Sequence, residues 1–203
     1  MKRKAVWISC ILTALFCGLS ANASVIMTLD QVGPNVVATG SGTIDLTDLT
    51  FFGHGAAPGA YIYPLGANLL VGSAISVLDF DIYAGISGPT TIGSRDIPTI
   101  ASTGTGDALG ISGFLEMLSV PHDYVSGTPL SSTATWDNTT IAALGADPGT
   151  YTWTWGSGAN ADSLTLVVAP EPAPALLLTL GVAGLALLKW RSSIRCASTS
   201  NGA

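Results

Sequence analysis

Between Ser24 and Ala169 the sequence has one basic residue, Arg95, and no cysteine. The same stretch carries twelve acidic residues, all Asp except Glu116, so its formal charge is −11. A field of that sign repels phosphate backbones and excludes nucleic acid as a partner. Cys10, Cys17 and Cys196 lie outside this stretch, so no disulfide braces it. A domain of about 145 residues is long enough to be held by its own core. Catalytic signatures are missing as well. There is no G-x-S-x-G elbow, H-E-x-x-H pair, phosphate-binding loop or dinucleotide G-x-G-x-x-G.

The other six basic residues sit at the ends, each beside an uncharged apolar run. The start, MKRKAVWISCILTALFCGLSANAS, has a basic opening, an apolar segment and small residues at Ala21 and Ala23. This is the pattern of a secretory signal peptide, with signal peptidase expected to cut after Ala23 and leave Ser24 as the new N-terminus. Phe16 precedes Cys17, where lipid attachment would need a small residue, so a lipoprotein signal is not expected. The other end, VVAPEPAPALLLTLGVAGLALLKWRSSIRC, begins with Pro170, Glu171, Pro172 and Pro174, which hold the chain extended. Residues 173–188 carry no charge and would make a helix about 24 Å long. That falls slightly short of a bilayer core of about 30 Å, and a snorkelling Lys189 and an interfacial Trp190 supply part of the difference. Lys189, Arg191 and Arg195 then place the tail in the cytoplasm.

The order Pro-Glu-Pro, short membrane helix, basic cluster resembles the PEP-CTERM sorting signal of Gram-negative bacteria. The resemblance implies processing near Pro170, Glu171 and Pro172 by an exosortase, an integral-membrane cysteine transpeptidase. It also implies an inner-membrane-anchored intermediate, followed by residence at the cell surface or in the extracellular matrix. The expected domains are a signal peptide (1–23), a β-rich acidic ectodomain (24–168) and the sorting signal (169–203), with its transmembrane helix at 173–188. The run from Tyr124 to Val168 also looks like PEP-CTERM ectodomains, which implies that the last strand leads directly to Pro170.

Within the ectodomain, large apolar residues recur at roughly every second position. Val25, Met27 and Leu29 do so first, then Ile44, Leu46 and Leu49, then Ile75, Val77, Phe80 and Ile82. Tyr151, Trp153 and Trp155, followed by Leu164, Leu166 and Val168, end the series. A period of two rich in Thr, Val and aromatics predicts strands, and Gly33-Pro34, Pro58-Gly59, Gly88-Pro89 and Pro148-Gly149 predict the turns between them. The fold class is all-β, a β-sandwich-like ectodomain of about eight to ten short strands. Asp107–Leu118 and Asn138–Leu144 have the apolar spacing of short helices, the latter with Asn138 or Thr139 as N-cap.

Candidate chemistry is sparse. His54 and His122 read as surface or loop histidines, and His122 and Asp123, adjacent on an extended chain, point apart rather than forming a dyad. Asp79 and Asp81 share one face of a strand, which reads as a solvated face, with a calcium site as the alternative. Neither metal nor cofactor is expected. Tyr151, Trp153 and Trp155 read first as core-facing; the alternative is an aromatic platform on which sugar rings stack. The function expected is that of a non-enzymatic structural or interaction protein of the cell surface or exopolysaccharide, sorted by an exosortase. A carbohydrate-binding module and a plain membrane-anchored periplasmic protein are the alternatives.

Overall fold

The structure, a computed structural model, describes residues 24–74 and 76–171. The signal peptide with Ala21 and Ala23, Ile75, Pro172, the helix expected at 173–188 and the cluster Lys189, Arg191 and Arg195 lie outside the described residues. Thirteen strands are described, beginning with β1 (Ser24–Val32), β2 (Asn35–Gly42), β3 (Thr50–Ala57), β4 (Tyr61–Tyr63), β5 (Asn68–Val71) and β6 (Leu78–Ala84). They continue with β7 (Thr99–Ile100), β8 (Thr103–Gly106), β9 (Leu109–Ser112), β10 (Met117–Pro121) and β11 (Leu130–Trp136). A single α-helical turn, α1 (Ile141–Leu144), precedes β12 (Gly149–Trp155) and β13 (Asp162–Val168). No helix among the described residues is long and apolar enough to cross a membrane.

The strands form two sheets, ordered β12-β13-β1-β2-β11-β8 and β3-β6-β10-β9-β5-β4-β7. Alternation decides which face of the first sheet is buried. Val25, Met27 and Leu29 of β1 and Leu164, Leu166 and Val168 of β13 are buried, while Ile26 between them is 54% exposed. They join Leu69, Val71, Leu109, Ile111, Leu118 and Val120 of the second sheet in one hydrophobic core. Gly40 of β2 belongs to this contact, because a Cβ there would come within 2.9 Å of Leu109 Cδ2. The strand count exceeds the sequence expectation because three short pieces, β4, β7 and β8, offer too few residues to show an apolar alternation, the last two lying at sheet edges and paired on one side only.

The pairing of β1 with β13 is parallel, with Ser24 opposite Ser163 and Leu29 opposite Val168. The chain therefore begins β1 at one end of the sheet and leaves β13 at the other, about 17–20 Å away along the strands. Beyond β13, Ala169 N–H donates to Leu29 O at 3.0 Å, so pairing extends to the residue before Pro170.

Three local expectations are corrected. Ile44, Leu46 and Leu49 lie in a loop, because Asp45 turns the chain: its carboxylate accepts from Thr47 N–H at 2.9 Å, and its own N–H donates to Asp162 at 2.7 Å. Residues 107–118 form the β9–β10 hairpin, not a helix. Gly110 packs against the Leu69–Leu70 backbone and Glu116 takes a φ of +57°, which suits a turn. The helix near 138–144 is present but starts at Ile141, with Thr140 as N-cap: its hydroxyl accepts from Ala143 N–H at 3.1 Å. Asn138 lies before it with φ +50°.

Candidate functional site

Three residues far apart in sequence meet where β3, β6 and the end of β10 adjoin. Asp81 on β6 stands opposite His54 on the edge strand β3 and opposite Val120 on β10. Directly opposed residues share a face of the sheet. His122 lies two residues beyond Val120 and so on the same side. A β-bulge brings His54 into this position. The pairing Thr50–Ala84 and Phe51–Tyr83 shifts by one residue before Gly53–Ile82, leaving Phe52 as the extra residue. Without that shift Gly53 would oppose Asp81 and His54 would point to the other face.

His54 Nδ1 lies 2.7 Å and His122 Nδ1 2.8 Å from the same oxygen, Asp81 Oδ1. The turn after β10, closed by Tyr124 N–H to Pro121 O at 3.0 Å, has Asp123 at φ +58° and directs the Asp123 N–H to Asp81 Oδ2 at 3.1 Å. The Asp81 side chain is 7% exposed, whereas the two imidazoles are more than half exposed. The imidazoles meet edge to face at 4.9 Å, and Phe51 packs edge-on against His54 at 5.2 Å. Burial alone pushes the Asp81 carboxyl up, but donation from His122, His54 and the Asp123 N–H outweighs it and holds the carboxyl below the usual range. His122 is raised by its bond to Asp81, and next by the charge of Asp123.

The surface reading of both histidines holds, since each imidazole is more than half exposed and His122 lies in a turn, but their convergence on Asp81 was not expected. His54 is a strand residue. His122 and Asp123 do act together, one through its side chain and one through its backbone. Asp79 and Asp81 alternate onto one face, but only Asp79 is solvated. The two imidazole nitrogens and the carboxylate lie within 4.8 Å of one another, a donor set able to hold a metal ion that the sequence reading did not foresee.

The aromatic strand β12 faces inward. Trp153 is fully buried and Trp155 is 4% exposed, with their indole N–H groups donating to Pro89 O and Asp45 O, each at 2.8 Å. Neither indole offers a free face to a sugar ring, so the platform reading is withdrawn for both. Tyr151 is half-buried and its hydroxyl donates to Asp147 O at 3.0 Å.

Of the sorting motif, Pro170 and Glu171 are described and exposed. Glu171 Oε1 accepts from Ala142 N–H at 2.7 Å. Gln31 accepts from Ile141 N–H at 3.2 Å, and Thr140 accepts from Ala143 and Leu144, so all four N–H groups of α1 are satisfied. Gln31 also donates to the carbonyls of Gly33, Asn35 and Thr139, tying the β1–β2 turn to this end of the sheet.

The outer face of the six-stranded sheet bears rows of hydroxyls. One row runs Thr150, Val167, Thr28, Thr39, Thr133, Thr105 across all six strands. Within it the Oγ1 atoms of Thr28 and Thr39, and of Thr133 and Thr105, are 3.0 Å apart. The next row contains Thr152, Thr165, Ile26, Ser41 and Ser131, and neither row holds a charged residue. Comparison of the chain with protein-family models, with curated proteins and with solved structures found no match.

Proposed function

We propose that the chain is an exported structural or interaction protein of the cell surface or exopolysaccharide, non-enzymatic, and sorted by an exosortase through Pro170, Glu171 and Pro172. The observation that carries the interaction reading is the pair of charge-free rows, rich in hydroxyls, that cross the outer face of the six-stranded sheet beside a third row carrying Asp30. Threonine offers a methyl and a hydroxyl side by side, and a flat array of both suits a neutral polysaccharide, whose sugars also present alternating C–H and O–H groups. On a domain of charge −11, these two rows without charge are where an uncharged polymer approaches at least electrostatic cost.

The sorting reading is supported by the short path from fold to motif. Ala169 alone separates β13 from Pro170, so the sheet's central parallel pair leads into the segment an exosortase would cut. Before processing, the end of the domain bearing α1 and the β1–β2 turn would face the membrane.

Binding to the producing cell's exopolysaccharide tests the interaction reading. Exported protein should co-sediment with it, and the double variant Thr39→Lys, Thr133→Lys should lose most of that binding while keeping its far-ultraviolet spectrum. Unchanged co-sedimentation of the double variant would remove the hydroxyl face from the account.

A further inference from the structure

We propose that His54, Asp81 and His122 form a binding site for a first-row divalent metal ion of the zinc type, held by Nδ1 of each imidazole and by the Asp81 carboxylate. Two imidazoles and one carboxylate are a borderline donor set, suited to zinc, copper or nickel. Calcium is a poor fit because it takes about six to eight oxygen ligands. Ligand bonds of about 2.0–2.2 Å in tetrahedral geometry put ligand atoms about 3.3 Å apart. The two Nδ1–Oδ1 separations, 2.7 and 2.8 Å, open by about half an ångström to admit the ion, and the two imidazole nitrogens, already within 4.8 Å of each other, settle at about the same spacing.

Two further features match a metal site's supporting shell. His122 Nε2 lies 3.5 Å from Asp123 Oδ2, so when Nδ1 coordinates, the Nε2–H faces a carboxylate. The Asp123 N–H holds Asp81 Oδ2, which fixes the orientation of the carboxylate. Proton balance is simple. A neutral imidazole moves its proton from Nδ1 to Nε2 on binding, and a protonated one releases one proton to solvent.

Charge favours a cation here. Asp79 and Asp123 add to the charge of Asp81, and Arg95, the one Lys or Arg among the described residues, donates to Ala143 O in α1. The exposed imidazoles leave the solvent side open for entry of the ion and for a water ligand. Tyr124, two residues from His122, bonds Ile44 just beyond the end of β2 that pairs with Val25, so the site belongs to the end of the sheet away from Pro170.

The test is zinc titration of the full chain in detergent, with its cysteine thiols alkylated, followed by calorimetry. Cobalt in place of zinc adds a visible absorption band diagnostic of tetrahedral nitrogen and oxygen ligands. One ion per chain is expected, with affinity lowered about 10-fold in Asp123→Asn, which removes a supporting partner, and by more than about 100-fold in His54→Gln and His122→Gln, each of which removes a ligand. The two histidines are exposed, so their variants should keep the wild-type circular dichroism spectrum and separate ligand loss from unfolding. Absence of zinc uptake by the wild type, or equal uptake by the His54→Gln, His122→Gln double variant, would overturn the assignment.

Discussion

Replacing Trp153 by alanine tests whether β12 packs inward as an element of the core. A tryptophan buries about 150–250 Å², which at about 25 cal/mol/Å² corresponds to roughly 4–6 kcal/mol of transfer free energy. The indole is fully buried, and Gly113 leaves it no slack, since a Cβ there would come within 2.8 Å of Nε1. The variant therefore opens a cavity and leaves Pro89 O without its donor. A loss of about 3–5 kcal/mol is expected, from a total stability of about 5–15 kcal/mol. In urea, with a slope of about 2 kcal/mol/M, the midpoint should fall by roughly 2 M, read from intrinsic fluorescence and circular dichroism of residues 24–171. Trp153→Phe keeps most of the volume and should lose only about 1–3 kcal/mol, mainly for the unpaired carbonyl. A Trp153→Ala protein with an unchanged midpoint would refute the inward packing, and the sugar-platform reading would return if that protein also lost polysaccharide binding.

Three other outcomes are expected. Burial raises the Asp162 carboxyl above its ordinary value despite the N–H groups of Asp45 and Ser163, and the Asp45 carboxylate adds to the rise. Its contribution to stability is thus present below the unfolded-state value and lost as pH rises through the folded one. Wild type should lose stability relative to Asp162→Asn over that interval; parallel urea-midpoint curves for the two proteins would contradict this. Gln31→Ala removes four hydrogen bonds at the β1–β2 turn and should cost about 1–3 kcal/mol by the same assay, whereas a surface-like change below about 0.5 kcal/mol would show that α1 does not depend on it. N-terminal sequencing of the exported protein should begin at Ser24, where β1 starts; a product retaining Met1 would make residues 5–19 an anchor instead.

How much was legible in the sequence differs by element. β1, β12 and β13 could be read because each carries three large apolar residues at period two, and in each the residues of that set are more buried than those between them. The pieces β7 and β8 escaped notice because a two-residue strand and a Thr and Gly strand, both at sheet edges, owe their place to backbone pairing, which leaves no apolar alternation. The helix expected at 107–118 failed for a related reason: Leu109 and Leu118 are buried on adjacent strands, and Phe114, counted toward the helical stripe, lies 70% exposed at the hairpin turn. The His54–Asp81–His122 cluster was not legible. Its members are 27 and 41 residues apart, and their convergence depends on a one-residue bulge at Phe52 and a left-handed Asp123, neither of which leaves a mark in the alternation pattern. A faint signal existed in the face shared by Asp79 and Asp81. It could not show that one of the two would be covered by imidazoles.

Cleavage at the segment following β13 is the step proposed to deliver this domain. Mass spectrometry of the mature protein from wild-type cells, and from cells lacking the exosortase, measures it directly. The wild-type product should end near Pro170, Glu171 and Pro172 and lack Lys189, Arg191 and Arg195, with the uncut chain accumulating in the mutant. A product that retains those three basic residues in both strains would contradict it and leave a membrane-anchored periplasmic protein.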